Sequence, residues 1–148
     1  MNSKDKGNVT EAKALYEFIK RGIPVYRPFG DNTRCDMIID VNNNLYRIQA
    51  KTSNMESHGS IMGYTRSSKN HTTNKRLDTY VGQVDYFVFY SQSRDKIALV
   101  PMSVIGEQKS INLRLDPPKN NQKNVHYFDD FSIDNVLCVE TLHEEPKS

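Results

Sequence analysis

The sequence predicts an α/β fold, a central mixed β-sheet flanked by helices. Three observations lead there. The elements run helix, strands, a long polar stretch, strands, helix, an order that suits such a sheet. The 148 residues make one domain of ordinary size, able to bury a core without disulfide or metal staples. The apolar share is only 36%, yet clusters such as Tyr86-Phe87-Val88-Phe89-Tyr90 supply core-forming side chains.

The first helix is expected from about Asn8 to Gly22. Asn8 or Ser3 can cap it, because their side-chain oxygens accept from unpaired N–H groups. Ala12, Leu15, Tyr16 and Ile19 recur at helical spacing, and Gly22 and Pro24 end the helix. Glu11 precedes Leu15 by one turn and points from that apolar stripe. That is an odd place for a carboxylate unless the first turn borders a cleft. Ile23 to Phe29 holds Pro24 and Pro28, so it reads as an edge or a brief strand. Cys35 to Val41 and Leu45 to Thr52 read as a hairpin around Asn42-Asn43-Asn44, since asparagine tolerates positive φ. Residues 53–83 read as a long polar loop, which at that length is functional or disordered, with room for a short helix. Asp85 to Ser91 reads as a buried strand and Ile97 to Val100 pairs back on it. Met102 to Glu107 suits a helical turn and Ser110 to Leu115 another strand. Residues 116–124 read as a basic loop. Phe128 to Leu137 reads as one short helix with acids in its first turn. The whole chain, 1–148, is read as one domain with its core at about 8–137 and an acidic C-terminal tail.

Charge is unevenly spread. Residues 1–124 carry 19 Lys and Arg against 12 Asp and Glu, whereas residues 125–148 carry one Lys against six acids. A basic body suits a polyanion-binding surface, and a charged tail equally suits plain solubility. No apolar run approaches the roughly 18 residues of a membrane helix. The first residues lack the apolar core of a secretory signal. Cys35 and Cys138 have no metal-type or disulfide-framework spacing, so a reduced, cytoplasmic setting without membrane contact is expected. There is no zinc spacing and no Gly-rich phosphate loop, and His58 and His71 have no supporting motif. Tyr64, Tyr80 and Tyr90 suit base stacking or, more simply, packing.

The hairpin holds the candidate chemistry. By alternation, Asp36, Ile38 and Asp40 share one strand face, and Arg47, Gln49 and Lys51 share one on the partner. A two-residue Asn43-Asn44 turn would set Asp36 opposite Lys51. A three-residue loop closed by Val41 and Leu45 would send Asp36 to the other face. If the three converge, the set suits phosphodiester hydrolysis. Asp36 and the Gln49 amide oxygen are hard ligands for Mg²⁺, and the Lys51 ammonium can orient water or stabilise transition-state charge. Glu11 can supply a second carboxylate. The competing reading is a solvated strand face.

Glu11, Asp36 and Ile48-Gln49-Ala50-Lys51-Thr52 together resemble the PD-(D/E)XK nuclease superfamily. With Asp85-Tyr86-Phe87-Val88-Phe89-Tyr90, Leu99-Val100-Pro101, Leu113-Arg114-Leu115 and Lys119-Asn120-Asn121-Gln122, the chain is similar to the homing endonucleases of that superfamily encoded in group I introns. The resemblance spans roughly residues 8–133. It implies a restriction-endonuclease-like core and a divalent cofactor, Mg²⁺ or Mn²⁺. It implies Asp36, Gln49 and Glu11 as metal ligands, with Lys51 completing the catalytic set. Cys35 stands where the motif has proline, and Gln49 where it has a carboxylate, which removes one negative charge from the metal site.

The reading is therefore a divalent-metal-dependent endonuclease making site-specific double-strand breaks in DNA. Arg66, Lys69, Lys75, Arg76, Lys119 and Lys123 would contact phosphates. Cutting both strands needs two sites, which implies a homo-oligomer, a dimer or a tetramer. The rivals are a Holliday-junction resolvase or restriction-like nuclease and, from another class, a DNA-binding module without catalysis.

Overall fold

Helix α1 spans Ser3–Lys20, five residues earlier than the Asn8 start expected. Its cap is Asn2, whose side chain accepts from the Asp5 N–H at 2.9 Å. The computed structural model describes residues 1–30, 33–66, 79–116 and 125–138. The buried face of α1 is also not the expected stripe. Thr10, Ala14 and Phe18 face inward, while Tyr16 and Ile19 are more than half exposed. The reason is Thr10. A polar residue can be buried only with a partner, and its hydroxyl lies 2.6 Å from that of Thr52 on the sheet. Phe18, fully buried, contributes roughly 1.5–3 kcal/mol of transfer free energy.

The strands are β1 (Val25–Tyr26), β2 (Met37–Val41), β3 (Asn44–Thr52), β4 (Ser60–Tyr64), β5 (Tyr86–Ser91), β6 (Lys96–Pro101) and β7 (Ser110–Arg114). Five form one sheet in the order β1-β2-β3-β5-β6. It is mixed, as expected: β3 runs parallel to β5, and the other neighbours are antiparallel. The two-residue β1 lies at one edge, in keeping with its flanking prolines.

Residues 53–83 are not one long loop. They include β4, which pairs antiparallel with β7 in a second, two-stranded sheet. Ile61 and Gly63 turn inward, and the close approach of Phe89 explains the glycine. A Cβ on Gly63 would stand 2.3 Å from Phe89 Cδ1. The small sheet covers one face of the large one through Ile61, Phe87, Phe89, Val100, Ile111 and Leu113. The other face packs under α1 through Ala14, Phe18, Met37, Ile39, Ile48 and Val88.

The expected turn after β6 is α2 (Met102–Ile105). The last helix is two pieces rather than one. A 3₁₀ turn, Phe128–Phe131, ends at Ser132, which then caps α3 (Ile133–Leu137) by accepting from the Asn135 N–H at 3.2 Å. Asp134 on α3 binds Arg21 at the end of α1 at 2.8 Å, closing that core.

Candidate active site

The hairpin turn is Asn42-Asn43, one residue earlier than the Asn43-Asn44 alternative. Both residues take positive φ, 53° and 67°, as a two-residue hairpin of the favoured twist requires. The register is Val41↔Asn44 through Met37↔Ile48. An even turn keeps the face: Met37, Ile39 and Ile48 point under α1, so Asp36, Gln49 and Lys51 belong to the other side. The one-residue difference moves Asp36 toward Gln49 and Ala50 instead of directly opposite Lys51.

Asp36 stands just before β2 begins. Its N–H donates to the Ile48 carbonyl at 2.7 Å, and its Oδ2 accepts from the Ala50 N–H at 2.8 Å. The carboxylate thus takes over as acceptor for β3 where β2 has ended. Burial raises its pKa above the ordinary carboxylate value. The Ala50 N–H and the charges of Lys51 and Arg27 work against that rise.

Glu11 comes from α1, across the sheet. Arg27, one residue past β1, donates to Glu11 Oε1 from Nη2 at 3.0 Å. Burial, then the charge of Asp36, raises the Glu11 pKa, with Arg27 opposing. Two carboxylates and two cations therefore share one field at the start of β2. Gln49 is half-buried; its Nε2 donates to the Ala50 carbonyl at 3.4 Å, leaving Oε1 as a hard oxygen. Lys51 pairs with Phe89 in register, and its ammonium lies 5.2 Å from the Tyr80 ring centroid. Tyr80 and Tyr90 are buried, whereas Tyr64 is exposed.

Of the basic residues expected to meet DNA, Arg66 is half-buried, and its Nη2 donates to the Glu107 carbonyl at 2.7 Å. Lys69, Lys75, Arg76, Lys119 and Lys123 lie outside the described residues. Sequence reasoning missed Arg27 and Arg34. Neither belongs to a motif, and only the antiparallel β1–β2 pairing reveals that Arg27 approaches Asp36.

The profile of the PD-(D/E)XK endonucleases matches residues 1–134. The chain belongs to the PD-(D/E)XK endonuclease family. The solved structure of a bacterial homing endonuclease, I-Ssp6803I, is similar in fold. Its TM-score is 0.71 at 24% identity, over 84% of this chain and 86% of that one. None of the curated proteins matches.

PD-(D/E)XK nucleases generally use divalent metals. The donor set here fits such an ion by its chemistry. Glu11 and Asp36 are two hard carboxylates, each resisting ionisation in the folded chain, and Asp36's charge adds to that resistance at Glu11. A divalent cation beside them would relieve that cost. Among the described residues no cluster of three or more His, Cys, Asp or Glu gathers. The third hard donor available is the Gln49 amide. Among those residues no helix is long and apolar enough to cross a membrane.

Proposed function

We propose that this protein is a divalent-metal-dependent DNA endonuclease that makes site-specific double-strand breaks, in the manner of homing endonucleases. The observation that carries the reading is that Asp36, fixed by the Ala50 N–H, feels the charge of Lys51 while Glu11, held by Arg27, feels the charge of Asp36, with both carboxylates raised by burial. Asp36, Gln49 and Glu11 would hold the metal. When bound, Mg²⁺ or Mn²⁺ supplies positive charge beside the phosphate and makes water more acidic.

The chain's own residues do the rest. Asp36 is fixed at Oδ2 by the Ala50 N–H, so its other oxygen is held in a set direction. Lys51 brings an ammonium to the side of the sheet that Asp36 occupies, where it counters charge gathering on the phosphate oxygens. Arg27 keeps Glu11 in place across the gap. Gln49 in place of a carboxylate lowers the site's negative charge and should weaken metal binding. Gln49→Glu should tighten it, read by calorimetry, without loss of fold.

Double-strand cutting by a chain with one such site calls for two or four subunits on DNA. Lys69, Lys75, Arg76, Lys119 and Lys123 would grip phosphates. We further propose a group I intron origin and a cytoplasmic setting for the protein.

The test is incubation with a plasmid carrying the intron-free host gene, with and without Mg²⁺. Linear product at one position, dependent on metal and absent with Lys51→Ala, supports the reading. Specific binding without any Mg²⁺-dependent product would favour a non-catalytic DNA-binding module. Preference for a four-way junction over linear duplex would favour a resolvase.

A further inference from the structure

Lys51 lies two residues from the proposed metal ligand Gln49, yet among the described residues it forms no ion pair. What its ammonium does meet is an aromatic face, with the Tyr80 centroid 5.2 Å away. The surroundings of that ring are rigid. Tyr80 is 5% exposed, and it stands edge-on to Phe87 at 5.3 Å and 87°. Phe87 in turn stacks on Phe89 at 5.5 Å, and Phe89 is the register partner of Lys51. The Tyr80 carbonyl accepts from the N–H groups of Gln83 and Val84 at 2.9 and 3.2 Å. Arg34 lies over the same ring at 3.9 Å and ties down both flanks. It donates to Gln83 Oε1 at 2.5 Å and to the Thr79 carbonyl at 3.1 Å.

Lysine has a long, rotamer-rich side chain, and ordering it costs entropy. A carboxylate partner would order it, but would also cancel the charge that a phosphate needs. The negative face of an aromatic ring attracts an ammonium and leaves its net charge intact. We infer that Tyr80 is a positioning residue for Lys51: its ring holds the ammonium on the face of the sheet that Asp36 occupies, without neutralising it. The inference rests on the nuclease reading for its functional meaning, though the ring–ammonium contact stands on geometry alone.

Tyr80→Phe keeps the ring, and Tyr80→Leu removes it while keeping an apolar side chain in the core. On target DNA with Mg²⁺, the leucine variant is expected to lose about tenfold in kcat, equivalent to about 1.4 kcal/mol. Its KM and its Kd for DNA should stay within about twofold of the parent, and the phenylalanine variant should match the parent in all three. Assays run well below the melting temperature of each variant. A second readout needs no activity: the rate at which Lys51 is acetylated by an amine-reactive ester, followed by mass spectrometry. It should rise several-fold in the leucine variant and not in the phenylalanine variant. The inference is overturned if the leucine variant cuts like the parent, if phenylalanine is as damaging as leucine, or if the loss lies in KM. If the parent protein does not cut DNA at all, the nuclease reading fails, and the acetylation rates alone decide the contact.

Discussion

Two clusters of charge in this protein use the same residue types to opposite ends. At the start of β2, Glu11 and Asp36 are partly desolvated, and burial pushes both pKa values up despite Arg27 and Lys51 nearby. Beside the β5–β6 turn, Arg94 grips both oxygens of Glu56, at 2.8 and 3.0 Å, and reaches Asp116 at 3.2 Å. There the Arg94 guanidinium and the Ser93 hydroxyl pull the Glu56 pKa down to about 2. Arg114 adds bonds to the Asp116 and His58 carbonyls, so the cluster laces the ends of β4 and β7 to the main sheet. The second cluster is satisfied as it stands. In the first, burial outweighs the partners that Glu11 and Asp36 have, and carboxylates so placed are what a site awaiting a cation should contain.

The sharpest way to break this contrast is to remove chemistry from the first cluster. Asp36→Asn or Lys51→Ala should lower the cleavage rate by about 10²-fold or more while leaving DNA affinity nearly unchanged, measured by single-turnover cutting and by filter binding. Both variants cutting normally would dissolve the distinction. Gly63→Ala should be the most damaging change to folding on the second sheet. Its methyl would collide with Phe89, and overpacking of this kind costs about 1–3 kcal/mol in denaturant unfolding.

Next comes stability at the site itself. Because burial raises the Asp36 pKa, its favourable contribution is fully present below the ordinary carboxylate value. That contribution is lost as pH rises through the raised value. At neutral pH, Asp36→Asn should therefore raise the melting temperature by a few degrees while keeping the bond from the Ala50 N–H. Added Mg²⁺ should stabilise the parent and not the variant. The smallest effect is expected at the second cluster. Glu56 titrates below its ordinary value, so its pairing helps above about pH 5 and fades as pH falls toward 2. Glu56→Gln should lower the melting temperature only slightly at neutral pH, and not at all near pH 2, because exposed pairs contribute little.

The same contrast marks how far the sequence could be read. The hairpin was legible because alternation and an asparagine turn are local signals, but whether Asp36 shares a face with Gln49 and Lys51 hung on the turn length, which the register settles as two residues. The turn itself came out one residue off, since three successive asparagines suit every nearby register. Strand β4 was hidden because Ser60 and Gly63 are poor strand formers. What makes that segment a strand is β7, a pairing partner from a distant part of the chain, with Phe89 close against Gly63. The buried face of α1 was misread because a threonine stood where an apolar residue was expected, and its partner Thr52 lies on another element. The split of the last helix at Ser132 was likewise masked by a helical-looking pattern on both sides.

The parallel pairing of β3 with β5 has a consequence for how the molecule assembles. The β2–β3 hairpin can zip from its own turn, but β3 meets β5 only after the intervening crossover, with β4 inside it, has closed. Loop closure of that length is entropically slower than hairpin formation. The strand bearing Lys51 therefore acquires one neighbour early and the other late, and the tyrosine that steadies it arrives with the late one. A half-folded chain would carry Asp36 and Gln49 already side by side but leave the lysine swinging, so competence to cut should appear only at the final stage of folding.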